Sequence, residues 1–242
     1  MNSTTDTAET SSPTTADTTH GNNAPSLPNP AIGIVAHISR QRWADELADQ
    51  IKATHVSMDN GTLGTYGNHL ATWQYHQYNT DSDWAVVIED DALPISDFRH
   101  QLGMALAAAP TDIVSLYLGR SRPPQHQPAI ATAIASATAL NHAWLTAPKL
   151  IHAVGVAIRT EHVADLCRTL QRTRGIDIDE AISEWAHMRH LTIGYTLPSL
   201  VDHRDGPTIT KHRDQADRPA GRTAWTVGSR QHWNNHTTAI PL

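Results

Sequence analysis

The chain has few of the features that would tie it to a particular setting. It has one cysteine, Cys167, among 242 residues. No internal disulfide can form, and an oxidising compartment is not implied. Cys167 falls in a stretch of helical apolar spacing with Val163, Leu166 and Leu170, and it is expected to pack as a small hydrophobe rather than serve as a catalytic thiol. No uninterrupted apolar run approaches the roughly 20 residues of a membrane span. The N-terminus lacks the basic start and apolar stretch of a signal peptide, so the expected location is cytoplasmic. A basic excess is missing too. The net charge is -6 and the pI near 6.2, which argues against a surface coated in positive charge for gripping nucleic acid but leaves a local basic groove open. Lysine occurs only at Lys52, Lys149 and Lys211, while arginine, alanine and threonine are abundant, as in a GC-rich genome.

What remains is ordinary globular composition, 39% hydrophobic and 17% charged, in a chain long enough for one domain with a sizeable core. Residues 1–30 are rich in Thr, Ser, Asn and Pro and nearly empty of large apolar side chains. Such a segment buries too little surface to offset the entropy of ordering, and a disordered tail is expected there. Residues 31–210 are expected to form the folded domain, and 211–242 an irregular C-terminal tail or lid.

Within the domain, apolar runs of strand type at 32–36, 54–58, 84–88 and 112–118 alternate with helical spacing at 42–51 and 70–78, and with a helix capped by Ser96 that buries Phe98, Leu102 and Leu106. This alternation predicts an α/β fold, with a mixed, mainly parallel central sheet flanked by helices in a single domain. The second half is less regular. Helices are predicted at 129–140, at 160–172 behind a Thr160 cap, and at 178–187, with short strands at 143–145, 151–158 and 192–197. In parallel sheets ligands bind at the carboxyl ends of the strands. Asp59-Asn60 and Glu89-Asp90-Asp91 both stand at such ends, so they are expected to face one crevice.

Three consecutive carboxylates after a fully apolar strand suit a hard divalent cation, Mg2+ or Mn2+, which takes oxygen ligands. Taken alone, the triplet reads equally well as a solvated acidic turn before a helix. Its surroundings add a resemblance. Val86-Val87-Ile88-Glu89-Asp90-Asp91-Ala92, followed by Pro94 and Phe98, is similar to the acidic segment of the lipopolysaccharide-type glycosyltransferases, glycosyltransferase family twenty-five. The stretch from Gly64 through Asn68, His69 and Trp73 resembles that family's glycine, small polar residue, histidine and aromatic, with Asn68-His69 where Ser-His is usual. Ala153 to Arg159 resembles the strand after the acceptor loop, Ile176-Asp177-Ile178-Asp179 the later acidic motif, and Pro198 to His203 the closing strand. The likeness runs in order over residues 32–208, while the family's opening segment is only faint at 34–42. A phage or actinobacterial member would fit the composition, with the host cytoplasm as the location if the source is viral.

The resemblance implies a GT-A (Rossmann-like) fold and a transferase that moves a sugar from a nucleotide diphosphate, a UDP-sugar first among candidates, to a hydroxyl acceptor with inversion. Asp91 would be the chief ligand of Mn2+ or Mg2+, with Glu89 or Asp90 on the ribose or a metal-bound water. His203 would supply a further metal ligand, and its other reading is a polar loop histidine. Asp179 or Asp177 would be the general base, the other reading being a helix cap. Asp59 would contact the nucleotide, and Arg40 or Arg42 the diphosphate. His69 would bind donor or acceptor, or else lie buried at a helix start with its ring hydrogen-bonded. Arg222, Trp225, Arg230 and Trp233 alternate cations and aromatics, which suits either a sugar-stacking lid or an anchor for the C-terminus. The acceptor stays open among a glycan, a protein and a modified DNA base. Two other classes share the acidic signal: a metal-dependent phosphoester hydrolase or nuclease, and a GT-A-like binding module without catalysis.

Overall fold

A computed structural model describes residues 1, 26–173, 175–205 and 221–242. The chain builds one mixed sheet with helices on both faces. The first half gives β1 (Ala31–His37), α1 (Gln41–Ile51), β2 (His55–Asp59), α2 (Gly64–Asn79), β3 (Trp84–Glu89), β4 (Ala92–Pro94), α3 (Phe98–Ala107) and β5 (Ile113–Ser115). The second half gives α4 (Gln127–Ala139), β6 (Trp144–Ala147), β7 (Gly155–Arg159), α5 (Thr160–Arg172), α6 (Ile178–Met188), β8 (Ile193–Thr196), β9 (Val201–His203) and β10 (Thr237–Ala239).

The eight-stranded sheet has the order β10-β6-β8-β5-β7-β3-β1-β2, and β4 and β9 pair separately. Strands β1, β2, β3, β5 and β8 run one way, and β6, β7 and β10 run the other. The antiparallel β7 is wedged between β3 and β5. The continuous apolar run of β3 follows from burial on both faces. Trp84, Val86 and Ile88 pack with Ile32, Ile34, Leu47 of α1 and Leu102 of α3, while Ala85 and Val87 join Trp73 of α2, Leu166 of α5 and Trp185 of α6.

Several boundaries differ from expectation. Helix α2 begins at Gly64, six residues before 70. Its first turn is glycine-rich and reads as loop, but the Asp59 carboxylate binds its free amides. Asp97, not Ser96, precedes α3, and Arg159 rather than Thr160 precedes α5. The strand predicted over 151–158 is β7, which starts only at Gly155. Residues 26–30 lie beside α3, where Arg99 donates to the Pro30 carbonyl at 2.8 Å. The rest of the expected tail, 2–25, lies outside the described residues.

The stretch read as an irregular C-terminal tail supplies β10, the far edge of the sheet, while 206–220 lie outside the described residues. Trp225 donates to Gln127 and Trp233 to Gln101, each at 2.9 Å, and Arg230 reaches the Leu197 carbonyl at 3.0 Å. These three side chains therefore act as anchors.

The approach of α2 to β1 depends on Gly33. A Cβ there would lie 2.6 Å from Thr72 Cγ2 and 2.8 Å from His76 Nε2. Both neighbours are fully buried, and His76 is held by its hydrogen bond to the Val86 carbonyl. Gly33→Ala is expected to destabilise the fold by about 1–3 kcal/mol through overpacking, read as a lowered urea midpoint with unchanged slope.

Candidate active site

The carboxyl ends of β1, β2 and β3 open into a cleft of about 1040 Å³, where ligands collect in sheets of this kind. It is lined by His37, Arg40, Asp59 and the start of α2, by Tyr117, His152 and the residues around Pro123, and by the start of α6. Glu89, Asp90 and Asp91 line it too.

Each acid of the triplet has a different partner. Glu89, at the end of β3, is hydrogen-bonded to His69 Nε2 at 3.1 Å. Burial works to raise the Glu89 carboxyl, but His69, His203 and Arg40 together outweigh it and the carboxyl is held below its ordinary value. Asp90 accepts from the His37 amide at 2.9 Å and from Arg40 at 3.0 Å. Asp91 accepts from the same Arg40 nitrogen at 2.6 Å. Burial first, then the neighbouring charge of Glu89, pushes the Asp91 carboxyl upward, and His203 and Arg40 only partly counter this.

His203 arrives from the far end of the chain. Strands β4 and β9 pair antiparallel with Ala92 opposite His203, and the Arg204 amide donates to the Asp91 carbonyl at 2.7 Å. This short ladder sets His203 Nε2 3.4 Å from Asp91 Oδ2. Asp91 Oδ1 and His203 Nδ1 are buried without a hydrogen-bond partner among the described residues. Among the described residues no three His, Cys, Asp or Glu side chains form a ready metal cage. What exists is this pair, with one open oxygen. Asp90 and Asp91 share the Arg40 guanidinium, while Glu89 is paired with His69. The site holds an oxygen–nitrogen donor set suited to Mn2+ or Mg2+, with room for other ligands to come from water and a phosphate.

The other expected residues divide between the cleft and its scaffold. Asp59 borders the cleft, but its carboxylate is occupied. Oδ1 accepts from Thr62 and Leu63 and Oδ2 from Gly64, all at 2.9 Å. These bonds hold the Asp59 carboxyl below its ordinary value in spite of some burial. His69 is 1% exposed and lies beneath Glu89, outside the cleft lining. Asn68 ties β1 to β2 by donating to the Ala36 and Ser57 carbonyls. Arg42 points to Glu46 on the exposed face of α1.

Asp177 and Asp179, at the start of α6, both border the cleft, although their spacing suggests different directions. Asp177 precedes the helix and makes no side-chain cap. Asp179 accepts from the Glu180 amide at 3.0 Å. Burial, added to by the charges of Asp177 and Glu89 and opposed by that amide, pushes the Asp179 carboxyl up to about 7.

His152 is a cleft residue that sequence reasoning missed. It packs edge-on against Tyr117 at 5.2 Å, and its Nδ1 is buried without a partner among the described residues. Burial pushes it down to about 4, so the ring is neutral at working pH. The wrongly extended strand over 151–158 hid it. Residues Ile151 to Val154 form cleft wall instead.

Comparison with protein families and with curated proteins finds no match. Among solved structures, the chain is similar to a Drosophila β1,4-galactosyltransferase 7 mutant in complex with manganese, UDP-Gal and xylobiose. The TM-score is 0.43 at 10% identity, over 79% of this chain and 82% of that one. Among the described residues no helix is long and apolar enough to cross a membrane.

Proposed function

We propose that the chain is a GT-A-type glycosyltransferase that moves a sugar from a nucleoside diphosphate to a hydroxyl acceptor with inversion. The observation that carries this reading is the meeting of Asp91 and His203, 112 positions apart, at a strand end in a cleft that Asp179 also lines. It joins the resemblance of the acidic segment to a geometry able to use it.

Arg40, His37 and the start of α2 are assigned to the donor side, and Tyr117, His152 and the start of α6 to the acceptor side. On the acceptor side the Asp179 carboxylate takes the proton of the attacking hydroxyl. The acceptor oxygen bonds to the anomeric carbon as the bond to the diphosphate oxygen breaks, and its electron pair leaves with the diphosphate. Asp91 and His203 would hold Mn2+ or Mg2+, which when bound supplies charge compensation to the departing diphosphate. Asp59 shapes the donor loop through its three amide bonds, and His69 orients Glu89.

A screen of nucleotide sugars tests the reading by release of nucleoside diphosphate in the presence of Mn2+. One donor is expected to be hydrolysed slowly, and the matching diphosphate with Mn2+ is expected to raise the melting temperature. The proposal fails if no nucleoside diphosphate gives a shift and none is released. Cleavage of a generic phosphodiester with no response to nucleotide sugars would point to a hydrolase instead.

A further inference from the structure

One nitrogen of Arg40 serves two carboxylates. Its NH1 lies 3.0 Å from Asp90 Oδ1 and 2.6 Å from Asp91 Oδ2. A point of positive charge bridging adjacent carboxylates is also what a divalent cation would be. The side chain is only 13% exposed and both acids are nearly buried, so the contact is little screened by solvent. A metal drawn to the open Asp91 Oδ1 would share one carboxylate with the guanidinium, with both positive charges inside the same low-dielectric wall. Each therefore weakens the other's hold. A departing guanidinium has somewhere to go, because Arg40 lines the cleft into which a diphosphate would enter. In its present position it also lies 5.3 Å from the ring centroid of Trp43, whose indole carries Arg204 at 4.5 Å.

We propose that Arg40 is a tethered counter-ion that occupies the cation position of the Asp90–Asp91 pair in the empty enzyme and gives it up when a diphosphate enters. Arg40 then turns to the phosphate oxygens, and the carboxylates are left to the metal. Metal and nucleotide bind as a pair, each favouring the other by the same factor. Metal alone binds poorly, which keeps the acid cluster compensated and ordered between turnovers. Arg40 is in this sense a positioning residue that couples two ligands. The inference rests on the proposed metal-assisted transfer.

The test is titration of the full chain with Mn2+ alone and with Mn2+ plus UDP, following free Mn2+ by its paramagnetic signal. Arg40→Gln is expected to bind Mn2+ alone about tenfold more tightly than the wild type, within the usual range of coupling between sites. With UDP present the two affinities are expected to converge. Arg40→Lys keeps the charge on a shorter stem and is expected to show a smaller gain in the same direction; it also serves if Arg40→Gln fails to fold. Equal or weaker Mn2+ binding by the variants, or a gap that UDP leaves unchanged, overturns the coupling while the metal site stands. Absence of Mn2+ binding in every folded form, with and without UDP, overturns the metal reading and this inference with it.

Discussion

Asp91→Asn is expected to lower sugar transfer by about 10²–10³-fold, the scale on which a lost electrostatic contact to developing charge is felt. The substitution keeps the shape of the side chain and removes its charge. The main chain around it is pinned independently, since the Arg204 amide binds the Asp91 carbonyl and β4 pairs with β9. The fold should therefore survive. Burial and the neighbouring carboxylates already press on the Asp91 charge, so its removal should leave stability in metal-free buffer unchanged or slightly higher. The two measurements are the initial rate of donor turnover and the thermal shift with Mn2+ and nucleoside diphosphate. The rate should collapse and the shift vanish together. His203→Gln is expected to cut both less deeply, because an amide oxygen can still serve a hard cation. A variant at Asp91 that keeps its rate within tenfold would remove this residue from the reaction.

The sequence shows the β1 and β3 part of this site better than the part around Tyr117 and His152, for a physical reason. Strands β1 and β3 are buried on both faces, so their apolar runs are unmistakable, and the acids that end β3 follow directly. The meeting of His203 with Asp91 was expected from the resemblance alone. Its structural cause, the three-residue strand β4 against β9, has no periodicity long enough to detect. The same is true of β10, whose Thr-Thr-Ala carries no apolar pattern. Sheet direction was equally hidden: nothing in Gly155–Arg159 says that β7 enters between β3 and β5 and runs against both. Asp59 was legible as a strand-end acid, but its role depends on three amides that exist only once α2 has started at Gly64. His152 is one of 16 histidines and owes its place in the cleft to a strand that begins later than its apolar run suggests.

The second large effect concerns Asp179. If this carboxylate takes the proton of the acceptor hydroxyl, Asp179→Asn is expected to lower turnover by about 10²–10⁴-fold while leaving the nucleotide-dependent thermal shift intact. The Asp177→Asn variant should keep its plateau turnover close to wild type, since Asp177 makes no cap and lies before the helix. Its pH profile should move slightly downward, because the Asp177 charge helps to push Asp179 up. The pH profile separates a base from a merely structural acid. With its carboxyl pushed up to about 7, Asp179 is protonated and idle in acid, so wild-type turnover should rise with pH and level off above about 7, a rise the asparagine variant should lack. Stability should run the opposite way. The folded chain holds this proton more tightly than the unfolded chain, so Asp179 favours the fold most below the ordinary Asp value. That contribution fades as pH rises through about 7. At pH 8 the wild type carries a charge that the fold resists and the variant does not, so Asp179→Asn should melt higher there, by about 2–4 °C for each kcal/mol recovered. At pH 5, where the wild-type carboxyl is already mostly neutral in the fold, the two melting temperatures should draw together. A variant that is slow yet melts lower at pH 8 would show that Asp179 holds the start of α6 in place rather than accepting a proton.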